Sequence, residues 1–181
     1  ALHISAYKGH ESVVRLLLLK PGIDINIRGE NNSTPLILAA RAGHHRVTRL
    51  LIKSGADLNL QDDSGFTALT GAALNGHTRA GMELLQAGAD RDIKNNKYNN
   101  TALKLAQIVD KPDMALILDR GQIQDEERGA RAVLAATDAG CPKLVSELLA
   151  RGAKWDTKNE IRETPFQIAA RLPKSRKDEF E

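Results

Sequence analysis

The sequence predicts an all-helical solenoid built by stacking copies of one helix-turn-helix unit, with short hairpin-like projections between the units. Two observations carry this expectation. Thr34-Pro35-Leu36 returns as Thr67-Ala68-Leu69, as Thr101-Ala102-Leu103 and later as Thr164-Pro165-Phe166, and the first two spacings are 67 − 34 = 33 and 101 − 67 = 34. Within each interval, apolar residues recur at helical spacing and glycine interrupts them. The length, 181 residues, suits one short repeat array, and the 41% hydrophobic fraction can supply a core although aromatics make up only 3%.

The second unit is the clearest. Thr34 can cap a helix and Pro35 suits the position after a cap, so a helix is expected to begin at residue 34 or 35. Leu36, Ala39 and Ala40 form its inner face, and the alanines allow a neighbouring helix to come close. Gly43 stops it. A second helix follows, with Val47, Leu50, Leu51 and Ser54 on one face before Gly55. The segment from Asp57 to Gly65 alternates briefly and then turns on Asp, Ser and Gly, as a short hairpin would. One such unit cannot bury both faces, so stability requires stacked neighbours.

The other units follow by register. At the start, Leu2, Ala6, Gly9, Val13, Leu16 and Leu17 lie 34 before Leu36, Ala40, Gly43, Val47, Leu50 and Leu51. The gap 164 − 101 = 63 holds a divergent unit, in which Val133, Ala136, Gly140, Leu148, Leu149 and Gly152 match Leu36, Ala39, Gly43, Leu51, Ile52 and Gly55. The units are approximately 1–33, 34–66, 67–100, 101–130, 131–163 and a partial 164–181.

Thr34-Pro35-Leu36, Ala39-Ala40, Gly43-His44, Leu50-Leu51, Gly55-Ala56-Asp57, Asn59, Asp62 and Gly65-Phe66-Thr67-Ala68-Leu69 resemble the ankyrin repeat signature. Gly9-His10, Gly76-His77 and Gly88-Ala89-Asp90 are similar. Two connections depart from the pattern. The third carries an extra residue within Lys94–Asn100, which predicts a longer tip. The fourth replaces the usual segment with residues 122–129, which predicts a shortened or helical projection. Ala1 enters a helix without its capping Thr, and after Ala170 the last unit lacks a complete second helix. A segment of a longer protein is therefore expected.

Composition and motifs exclude several classes of function. The net charge of +3 is too small to dictate a nucleic-acid partner, and no apolar run is long enough for membrane insertion. Cys141 is alone, which points to a reducing, intracellular and cytoplasmic location. It also lacks a visible base, so no cysteine nucleophile is expected. His10, His44 and His77 recur one unit apart. Two nitrogens must each lie about 2 Å from one zinc, whereas equivalent positions on stacked helices are about 8–10 Å apart, so the histidines read as structural. Asp125-Glu126-Glu127 reads as a solvated turn, and no phosphate-binding glycine motif occurs. Neither an enzyme nor a cofactor is expected.

Surface remains. In ankyrin arrays, the resemblance implies, a partner protein or peptide docks on the concave side made by projections and first helices. The projections carry Arg28, Glu30, Gln61, Asp63, Phe66, Lys94, Lys97, Tyr98, Lys158 and Arg162; the ends of first helices add Tyr7, Lys8, Arg41, Leu74, Asn75 and Asp138. Tyr7, Phe66 and Tyr98 stand out because aromatics make good interface anchors. Trp155 occupies the place of Leu58 and reads as packing. The resemblance further marks Asn26 and Asn59 for hydroxylation, each with an Asp two residues before it and a Leu eight before it. The function expected is non-catalytic protein binding. The alternative is the targeting or regulatory part of a larger enzyme, effector or ubiquitin-ligase adaptor. A third and weaker reading, nucleic-acid recognition through Lys94, Lys97, Lys158 and Arg162, requires steep salt dependence.

Overall fold

The computed structural model describes residues 1–96, 98–121 and 126–154. Ten α-helices and no strand occur among them. They are α1 (Leu2–Lys8), α2 (Glu11–Leu18), α3 (Pro35–Arg41), α4 (His45–Lys53), α5 (Ala68–Asn75), α6 (Thr78–Gln86), α7 (Ala102–Ile108), α8 (Pro112–Leu118), α9 (Glu126–Asp138) and α10 (Pro142–Ala150). The chain divides into two compact units, Ala1–Ala115 and one that begins at Leu116. In the first, α1, α3, α5 and α7 pack in succession as one row, α2, α4 and α6 form a second row, and each of α1, α3 and α5 packs on its own second helix. In the second unit α9 packs on α10. Lys97, Trp155, Lys158, Arg162 and the partial unit from Thr164 lie outside the described residues.

Threonine starts the helices as its position predicts. Thr34 Oγ1 accepts the Ile37 N–H at 3.3 Å, and Thr101 Oγ1 accepts from Lys104 at 3.4 Å. Thr67 goes further and exchanges bonds with Thr70, each hydroxyl accepting the other residue's backbone N–H. Two otherwise orphaned donors are satisfied at once. Ala39, Ala40, Ala72 and Ala73 are fully buried between the rows with Leu36, Leu51, Leu69 and Leu84. Two details of the predicted second-helix face change. Val47 and Leu51 are buried, but Leu50 is only half-buried, Ser54 is exposed and Thr48 takes the inner place. Its hydroxyl can be buried because it donates to the His44 carbonyl at 3.1 Å.

The projections are closed turns rather than paired strands. One backbone bond shuts each: Gly29 N–H to Ser33 O at 2.9 Å, Asp62 to Phe66 at 3.0 Å, and Asn95 to Asn100 at 3.0 Å. The third spans one residue more, which is where the extra residue of the sequence goes. On the other side of the 122–125 segment, α9 begins at Glu126, five residues ahead of the expected unit boundary at 131, so residues 126–130 are helical.

Candidate recognition surface

The projections are tied to one another by side chains placed one period apart. Arg28 Nη1 donates to Asn32 O at 2.7 Å and to Gln61 O at 2.6 Å. Gln61 Nε2 repeats the act, donating to Gly65 O at 2.7 Å and Lys94 O at 3.0 Å. Asn32 Nδ2 reaches Asp63 Oδ1 at 2.6 Å. Arg28, Gln61 and Asp63 thus hold the projections together, a role the sequence reading did not assign them.

A second ladder runs through the loops after the second helices. Asp24 and Asp57 accept the backbone N–H of Asn26 and Asn59, both at 2.9 Å. Asn26 Oδ1 then accepts the Asp57 N–H at 2.9 Å, and Asn59 Oδ1 accepts the Asp90 N–H at 3.0 Å. Each Asn carbonyl thereby satisfies a backbone donor of the following unit.

Phe66 requires a correction. It is only 8% exposed and lies beneath the Arg41 guanidinium, 5.6 Å from its ring centroid, so it is not an exposed anchor. The same arginine pairs with buried Asp62 at 3.2 Å, whose other oxygen accepts from Ser64 N at 3.0 Å and Phe66 N at 2.9 Å. A residue that follows the signature at the end of a projection is drawn inward by the cation of the preceding first helix. Asn75, also expected to face a partner, turns its amide onto Arg41 O at 3.0 Å and Gly71 O at 3.2 Å. Leu74 and Asp138 are half-buried, while Lys94 is exposed.

Four expected residues come together. Tyr7, Lys8, Glu30 and Arg41 border one open cavity of about 350 Å³ between α1, the first projection and α3. Tyr7 is 51% exposed, and Ile4, 67% exposed, stands in the same wall. Ile4 was missed from sequence because an apolar residue in a helix reads as core; its counterpart Leu38 lines the same cavity. Tyr98 is 58% exposed on the third projection.

The recurrent histidines pack between units. The His44 ring lies over Gly9 and its Nε2 donates to Tyr7 O at 2.9 Å, while the His77 ring lies over Gly43. His3 Nε2 bridges Ile27 O at 2.9 Å and Ser33 O at 3.1 Å. Cys141 is buried at the start of α10, in the place that His10, His44 and His77 hold in the first three units.

His45, next to His44, has its pKa lowered from 6.5 by burial, then by Arg79, Arg49 and Arg46, with Glu11 opposing. The unfolded chain therefore binds more protons between the two values, and His45 adds a slope in which stability rises with pH up to about 6.5 and is lost as pH falls toward the native value. The His45→Gln variant should show a shallower rise in urea midpoint between pH 5 and pH 7 than wild type. Equal slopes would remove His45 as the source.

A row of first helices on a row of second helices, joined through glycine turns, defines a helix-pair repeat protein. The family model for ankyrin repeats (3 copies) matches residues 2–95, just over half of the chain, and the chain belongs to the ankyrin repeat family. No curated protein matches it. Ankyrin repeats generally serve as protein–protein interaction modules, and the family is typically non-catalytic. Among the described residues no helix is long and apolar enough to cross a membrane.

Proposed function

We propose that the chain is a non-catalytic recognition module, an adaptor or scaffold, that holds a partner protein or peptide on the face made by its first helices and projections. The observation that carries this reading is the cavity bordered by Tyr7, Lys8, Glu30 and Arg41. An exposed aromatic and an exposed isoleucine offer apolar anchors, and the surrounding charges select the partner and steer its approach. The walls are ordered on folding, so little conformational entropy is lost when the partner arrives. Lys94 and Tyr98, exposed on the third projection, extend the face; for Lys97, Lys158 and Arg162 a contact with the partner is proposed from sequence alone.

The test is a Tyr7→Ala/Lys8→Glu variant, compared with wild type in capture from the native cell and then in a binding titration with the purified partner. Truncating a hot-spot anchor costs about 2 kcal/mol or more, so the partner's Kd should rise at least tenfold. An unchanged Kd, with the variant folded by circular dichroism, rules this face out. Hydroxylation of Asn26 or Asn59 belongs to the same proposal, and one added oxygen on either residue in peptide mass mapping of the natural protein would establish it.

A further inference from the structure

The second helices carry a separate charged groove. Glu11 and Arg15 of α2 and Arg46, Arg49, Leu50 and Lys53 of α4 enclose about 300 Å³. Four cations face one carboxylate there, a surplus of 4 − 1 = 3, as large as the net charge of the entire chain. Partners account for some of them: Arg15 pairs with Glu11 at 2.9 Å, and Arg49 pairs with Glu83 of α6. Arg46 and Lys53 are exposed, and no ion pair holds either of them among the described residues. None of these six residues belongs to the first-helix face.

We propose that the groove between α2 and α4 is a second docking site, for an extended acidic segment of a partner protein whose carboxylates meet Arg46 and Lys53 while an apolar side chain covers Leu50. The spacing favours such a ligand. Arg46 and Lys53 are seven residues apart on one helix, which is about 10.5 Å along its axis. A polyproline II segment brings residues i and i+3 to the same side about 9.3 Å apart. His45, next to Arg46, has its pKa lowered first by burial and then by Arg79, Arg49 and Arg46, with Glu11 opposing. A continuous phosphate backbone fits less well. Glu11 lines the groove and Arg15 and Arg49 already hold carboxylates, and nucleic-acid affinity grows with each phosphate that finds its own cation.

The experiment titrates the full chain with a fluorescein-labelled peptide repeating Glu-Leu-Pro and with its Gln-Leu-Pro counterpart, followed by fluorescence anisotropy at low salt. The Glu peptide should bind at least tenfold more tightly than the Gln peptide. The Arg46→Glu/Lys53→Glu variant should lose at least tenfold of that affinity, whereas Tyr7→Ala and Lys94→Glu should keep it. Both reversed positions are exposed, and the wild-type comparison of the two peptides is decisive even if that variant misfolds. Equal affinity for the two peptides overturns the proposal, as does retention of binding by the folded double variant. Tighter, variant-sensitive binding to duplex DNA or to phosphatidylserine vesicles than to the Glu peptide also overturns it, and assigns the groove to that polyanion instead. Loss of first-helix binding in Tyr7→Ala with this site intact would separate the two surfaces.

Discussion

Gly43→Ala is expected to destabilise the protein by about 2–5 kcal/mol, the sum of about 1–2 for placing a side chain in a left-handed conformation and about 1–3 for overpacking. Gly43 has φ +80°, and a Cβ built there would lie 2.6 Å from His77 Nδ1 and 2.7 Å from its Cε1. Both penalties act on one atom. Gly55 separates them: its φ is +88°, but nothing lies within 4 Å of an added Cβ, so Gly55→Ala should cost only the conformational part. His77→Ala in the Gly43→Ala background should recover the steric part, which gives a coupling of about 0.5–3 kcal/mol between the two positions. Urea denaturation of the four variants and wild type measures all of this. Equal costs at Gly43 and Gly55, or strict additivity with His77→Ala, would show that the ring yields freely.

Asn95→Asp should be comparably damaging, by about 3–5 kcal/mol at neutral pH, the cost of a buried charge left without its partner. Asn95 occupies the place of Asp62 one period on, and both are buried. Asp62 has an ion-pair partner in Arg41, 21 residues before it; the residue 21 before Asn95 is Leu74. Charge and counter-charge have been exchanged together for a neutral pair. The amide still closes its turn, with Oδ1 accepting the Asn100 N–H at 2.9 Å, although Nδ2 is buried with no hydrogen-bond partner among the described residues. Leu74→Arg combined with Asn95→Asp should restore a large part of the lost stability. The single variant should also recover toward acid pH, where the new carboxylate is protonated. Chemical denaturation at pH 7 and pH 4 checks both, and an additive double variant would refute the pairing.

The period, the capping threonines and the turn glycines were legible in the sequence because each rests on a local rule that needs no partner. Thr34 caps its own helix whatever lies beside it. The recognition face was only partly legible. The register located Tyr7, Lys8 and Arg41 at equivalent ends of first helices, and the structure gathers all three around one cavity with Glu30. Register does not say what a long side chain touches across a unit boundary, however. Arg28, Gln61 and Asn75 looked free and are spent on carbonyls; Phe66 looked exposed and lies under Arg41. The groove between α2 and α4 escaped notice for a related reason. Its cations belong to two helices more than thirty residues apart in sequence, so they form no basic run, and two of them are offset by carboxylates.

The ladders also govern how the molecule meets a pulling force. Arg28 holds position 61 and Gln61 holds position 94, just as Asn26 holds position 57 and Asn59 holds position 90. No rung reaches past the next unit. Tension on the chain therefore loads one boundary at a time, and a unit that detaches takes only its own rungs with it. Its neighbours keep theirs and can guide it back when the load is released.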